Sequence, residues 1–104
     1  MDEDSLNLGG DIQLVGFKQV DRASMVIVKK MVGNYVKKFG DLCEKFEGVK
    51  LTLKIVHPTE KSEKYEIHTI LMNGGSPVAS EFTDRNLFVT LDKVLGKVES
   101  LLQK

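Results

Sequence analysis

The side chains best suited to covalent or acid–base chemistry are few in this sequence, and their spacing argues against a reaction centre. His57 and His68 are the only histidines, and the single thiol, Cys43, lies far from both. None of the short-spaced Cys/His pairs that hold zinc is present. The sequence contains no GxxxxGK[ST], no GxGxxG and no CxxC motif. Gly9-Gly10 and Gly74-Gly75 are too isolated to cradle a phosphate; they suit a leader and a hairpin turn. Ser24 follows Asp21 at the spacing of helix-start chemistry rather than that of a nucleophile and its base. Glu66 and Glu81 are expected on one side of a sheet, where such charges serve a solvated face. No nucleophile, base and oxyanion set can be assembled. The expectation is a protein that is not an enzyme, with no catalytic residue, metal, cofactor or small-molecule substrate.

Lysine is the residue type with a directional pattern. Projected at about 100° per residue, the segment from Met25 to Phe39 is a helix with an apolar face of Val28, Val32 and Phe39. Lys30 and Lys37 lie opposite that face, and Lys29 and Lys38 flank them. No acid falls between Arg22 and Lys38, so Arg22 and the four lysines form an unrelieved basic stripe. Such a stripe matches a line of phosphates through charge and counterion release. A solvated helix face is the ordinary explanation of the same pattern. On the last helix Lys93 and Lys97 share one flank, with Asp92 and Glu99 on the other near Arg85. Adjacent packing of the helices is expected to merge Lys93 and Lys97 with the first stripe. Lys50 and Lys54 form a third row on the open side of a strand. No exposed aromatic pair is available to stack bases.

These residues must be positioned by an alternating set of elements. Ile12 to Phe17 reads as a first strand, and Asp21 as the cap of a helix stopping at Gly40. A connector follows, with room for one further helical turn through Leu42 and Phe46. Val49 to His57 alternates, with Leu51, Leu53 and Ile55 on one side and Lys50, Thr52 and Lys54 on the other. Lys64 to Met72 is a third strand. Asn73-Gly74-Gly75 is a hairpin signal, and Pro77 to Phe82 a fourth strand. Asp84 is positioned to cap a last helix over residues 85–102, buried through Leu87, Leu91, Val94, Leu95, Val98, Leu101 and Leu102. The order β-α-β-β-β-α predicts an α+β domain: a four-stranded mixed sheet with both helices on one face.

A chain of 104 residues supports one compact domain. One cysteine permits no internal disulfide, which fits a reducing compartment. No apolar run approaches the length of a membrane span. The start of the chain lacks the basic and apolar regions of a secretory signal, so a cytoplasmic protein is expected. The formal net charge is zero, but it is unevenly spread. Residues 1–12 hold four acids and no base, while residues 13–104 hold 11 acids and all 15 bases. The reading is a flexible acidic leader over residues 1–10 before a mildly basic domain over 11–104.

The segment from Val78 to Lys104 resembles the end of the hibernation-promoting factor and ribosome-associated inhibitor A family. That family shows a small-residue strand, an acidic turn, an aromatic at the helix start, then Lys-rich and Leu-rich turns. Ala79-Ser80, Asp84, Phe88, Leu91-Asp92, Lys97-Val98-Glu99 and Leu102 occupy those places. Upstream, Ile12 to Gly16 is similar to the family's first strand, Lys37-Lys38-Phe39 to the end of its first helix, and Val49 to Ile55 to its second strand. Arg85 departs from the pattern, standing where an acid is common. The resemblance implies a fold like that of double-stranded-RNA-binding domains. It also implies a ribosome hibernation factor that binds ribosomal RNA at the decoding channel of the small subunit and obstructs messenger and transfer RNA. Carried onto this chain, the RNA contacts are Arg22, Lys29, Lys30, Lys37, Lys38, Arg85, Lys93 and Lys97. The likeness is to the short form of the family, so a monomer is expected. A module for structured RNA outside the ribosome, or a protein-interaction domain without RNA, would present the same surface features.

Overall fold

The computed structural model describes residues 5–7 (backbone), 11–59 and 61–103. In chain order the elements are β1 (Ser5–Asn7), β2 (Ile12–Val15), α1 (Arg22–Leu42), β3 (Phe46–Thr59), β4 (Ser62–Asn73), β5 (Ser76–Asp84) and α2 (Leu87–Leu102). A single 3₁₀ turn, Phe17–Gln19, links β2 to α1.

The four strands expected from the sequence, β2 to β5, form one mixed sheet. β2 pairs parallel with β3, Leu14 opposite Leu51. The β3–β4 and β4–β5 pairs are antiparallel, with Leu51 opposite Thr69 and Thr69 opposite Ser80. The three-residue β1 adds antiparallel to β2, Leu6 opposite Leu14, making a five-stranded sheet in the order β1-β2-β3-β4-β5. β1 falls in the stretch read as an acidic leader; residues 1–4 and 8–10 of that stretch lie outside the described residues.

Alternation along the strands decides what covers the sheet. Leu14, Leu51, Ile67 and Leu71 point to one face and are fully buried. Val28, Val32 and Phe39 of α1 and Leu91, Val94, Leu95 and Val98 of α2 complete the same core. Burial of each large aliphatic or aromatic side chain contributes about 1.5–3 kcal/mol relative to exposure. This is what holds α1 in spite of its valines and Gly33, which have weak helix propensity. Both helices therefore lie on one face, and the other face of the sheet stays open.

Several boundaries differ from the sequence reading. Phe17 leaves the strand and is buried in the 3₁₀ turn. Gly40 does not end α1, which runs to Leu42; the space around its Cα is open, so nothing there forces the chain to turn. Phe46 begins β3 rather than closing a helical turn. The cap of α2 is Asn86, whose Oδ1 accepts from the N–H groups of Phe88 and Val89 at 2.9 and 3.1 Å. Asp84 acts one step earlier, its Oδ2 accepting from the Asn86 N–H at 3.0 Å. Among the described glycines Gly16 makes the tightest approach: at φ 81°, a Cβ there would stand 2.3 Å from the Leu53 carbonyl oxygen.

Candidate nucleic-acid interface

Asp21 sets the start of α1. Its Oδ2 accepts from the Ser24 N–H at 3.0 Å, and hydrogen bonds from the Ser24 side chain and backbone hold its carboxyl below the usual carboxylate range. From that start, burial of Val28, Val32 and Phe39 fixes the rotation of the helix. Lys30 and Lys37 consequently face solvent, and Arg22, Lys29 and Lys38 are exposed beside them. Among the described residues none of these five makes an ion pair. Lys38 rests its Nζ over the Tyr35 ring, 5.1 Å from the centroid. The stripe also contains two residues that periodicity placed on neither face: Val26 and Ile27 are 67% and 47% exposed. The basic surface thus begins with an apolar step between Arg22 and Lys29.

The expected merger of this stripe with Lys93 and Lys97 does not occur. The flank of α2 that meets α1 carries Asp92, whose Oδ1 accepts from the Tyr35 hydroxyl at 2.8 Å. Burial, followed by that hydrogen bond, pushes the Tyr35 phenol up to about 12, with a further contribution from Glu99. An acidic seam therefore separates the two basic rows. Lys97 lies on the far flank of α2, its Nζ donating to the Glu81 carbonyl of β5 at 3.1 Å and sitting 5.2 Å from the Phe82 ring centroid. Lys93 lines the same groove between α2 and β5. Arg85 is exposed just before α2 and lines a depression of about 300 Å³ with Asp21, Ser24, Glu63 and Tyr65. The two acids there offset its charge. The Tyr65 phenol is itself raised by its hydrogen bond to Glu63 and by burial.

Lys50 and Lys54 stand on the open sheet face, Lys54 directly opposite Glu66. His68 shares that face as expected. Its Nε2 lies 2.6 Å from Glu66 Oε2 and its Nδ1 3.2 Å from Glu81 Oε2. Among the described residues no group of three or more His, Cys, Asp or Glu side chains is arranged to hold a metal ion. Cys43 is buried, and burial raises its thiol. No described helix is long and apolar enough to cross a membrane.

The fold is that of a small α+β domain in which two helices cover one face of a mixed sheet and one of them presents an exposed row of lysines. It is shared with a solved ribosomal subunit interface protein from Coxiella burnetii. The two match at TM-score 0.54 and 14% identity over 81% of this chain and 82% of that one. The N-terminal domain of Protein Y from Thermus thermophilus aligns at TM-score 0.46 and 20% identity, over 70% of this chain and 80% of that one. No family model matches the sequence, and a search of the curated proteins finds no matching relative.

Proposed function

We propose that this protein is a ribosome-associated translation inhibitor of the hibernation-factor type. It acts in the cytoplasm without catalysis, as a monomer, binding ribosomal RNA of the small subunit near the decoding channel. The observation that carries the reading is the exposed, acid-free row Arg22, Lys29, Lys30, Lys37 and Lys38 on a helix whose rotation is locked by its buried face. The fold shared with a ribosomal subunit interface protein supports the same reading. Lys30 and Lys37 are two helical turns apart, about 10 Å along the axis, on a support that does not need ordering when phosphate arrives. Phosphate contacts give affinity and position; obstruction of messenger and transfer RNA then follows from occupancy. Arg85 extends the surface at the start of α2. Lys93 and Lys97 form a separate row across the acidic seam, reached by an RNA that wraps over α2.

The test is co-sedimentation of the protein with purified small subunits across a salt series. Binding at low salt that is lost at high salt, and lost at all salts in the Lys30→Glu/Lys37→Glu variant with unchanged circular dichroism, is the expected result. Undiminished binding by that variant would remove α1 from the interface. Equal affinity for an unrelated RNA duplex would turn the reading to a general structured-RNA module.

A further inference from the structure

The outer edge of β5 and the groove beside α2 take no part in the α1 surface, and their chemistry is that of a peptide site. Gly74 and Gly75, at φ 56° and 84°, form a two-residue turn, so Asn73 and Ser76 are a mutually hydrogen-bonded pair. Every second residue from Ser76 then directs its N–H and C=O at β4. Those of Ala79, Glu81 and Thr83 point outward, as does the Pro77 carbonyl. Lys97 gives the same answer independently, because its Nζ reaches the Glu81 carbonyl from outside the sheet. β5 is the last strand of the sheet, so among the described residues no strand pairs with these groups.

Beside this edge lies a groove of about 510 Å³. Its lining includes Ser80 and Ser100, whose small side chains leave room for those of a further strand. Leu101, expected in the buried stripe of α2 but 44% exposed, supplies an apolar wall. The charged groups on the helix side of the groove are Lys93 and Lys97, while the Glu81 side chain is turned to the open face beside His68.

We propose that β5 and this groove bind an extended, carboxylate-bearing peptide segment of another protein, added to the sheet as an additional strand. Its backbone pairs with Ala79, Glu81 and Thr83. Alternate side chains face α2, carboxylates meeting Lys93 and Lys97 and an apolar side chain meeting Leu101. Lys97 leaves the Glu81 carbonyl for the incoming carboxylate, and the peptide N–H replaces it. A second copy of this chain fits less well, since two-fold pairing along β5 would bring Lys93 and Lys97 toward their symmetry mates. Nucleic acid has no use for a row of strand N–H and C=O groups.

The test is a display library of random nine-residue peptides, panned on the intact, ribonuclease-treated protein. The enriched peptide is then titrated by fluorescence anisotropy and by amide NMR. The expected result is enrichment of carboxylates alternating with β-branched residues, and slowed exchange of the Ala79, Glu81 and Thr83 amides. Ala79→Pro removes an outward N–H that the sheet does not use. That variant and Lys93→Glu/Lys97→Glu should each weaken the peptide at least tenfold, while Lys30→Glu/Lys37→Glu binds it like wild type. No enrichment over an unrelated bait, or full binding by both edge variants, would overturn the proposal. So would the same amide protection produced by an oligonucleotide in place of the peptide, or by dimerisation alone. No arm uses a ribosome, so the outcome is independent of the α1 interface.

Discussion

The Tyr35 hydroxyl donates to Asp92 Oδ1 across 2.8 Å, joining the outer edges of α1 and α2 where the two basic rows are divided. Tyr35→Phe should lower the unfolding free energy by about 1 kcal/mol, the usual net worth of one hydrogen bond. Urea denaturation checks this. The raised phenol adds a pH signature: its folded value, about 12, lies above the ordinary value of 10.0. The stabilisation it lends is full below pH 10 and is lost as pH rises toward 12. Absorbance titration of tyrosinate in the wild type and in Tyr35→Phe should assign the later transition to Tyr35.

Thr69 is fully buried, and its hydroxyl has no hydrogen-bond partner among the described residues. Its neighbour Ser80, directly opposite on β5, is satisfied by the Val94 carbonyl at 2.8 Å. Thr69→Val replaces the hydroxyl by a methyl group of similar size and relieves an orphaned polar atom. A gain of about 1 kcal/mol is expected, read as a higher urea midpoint at unchanged slope. A lower midpoint would mean that the hydroxyl has a partner in solution.

Gly16 joins the end of β2 to the 3₁₀ turn with a left-handed backbone and with the Leu53 carbonyl against it. Gly16→Ala combines the cost of φ 81° with a contact that backbone atoms must yield to. A loss of about 3 kcal/mol or more is expected, since strained dihedrals alone cost about 1–3 kcal/mol each. Thermal unfolding would show it, and Gly33→Ala, where a Cβ meets nothing, supplies the control.

If α1 meets phosphates, its lysines are separable from contacts that read sequence. Neutralising one of them, Lys30→Gln, should weaken small-subunit binding and reduce the slope of log affinity against log salt by about 1. An unchanged slope would place Lys30 away from phosphate.

The elements were legible because their periods are clean. Leu51, Leu53 and Ile55 alternate with Lys50, Thr52 and Lys54, and the apolar stripe of α2 repeats at helical spacing. The exposed α1 lysines follow from the same geometry. Other features carry no such signal. Ser5–Asn7 is too short to show a period and is held by pairing with β2. Asp84 and Asn86 are both good capping residues, and only the backbone path decides between them. The merger of the lysine rows failed for a related reason. An apolar stripe fixes which side of α2 faces inward, but not which neighbour each flank meets. Packing gave Asp92 to α1 and Lys97 to β5.

The parallel β2–β3 pair has a consequence for the order of assembly. Ile12 reaches Val49 only after the whole of α1 has been threaded between them, whereas β4 and β5 meet through Gly74 and Gly75 alone. Loop closure is entropically harder for the longer connection, and such contacts form slowly. The β3–β4–β5 meander is therefore the expected early nucleus, and the helix bearing Lys30 and Lys37 lies within the last loop to close. Pulse-labelled amide exchange during refolding should protect Ile67 and Thr69 before Leu14 and Val28. Simultaneous protection would mean that crossover and meander assemble as one unit. With sequential closure, a partly unfolded chain keeps the β3–β4–β5 meander while lacking an ordered lysine row, so phosphate affinity reports completion of the fold.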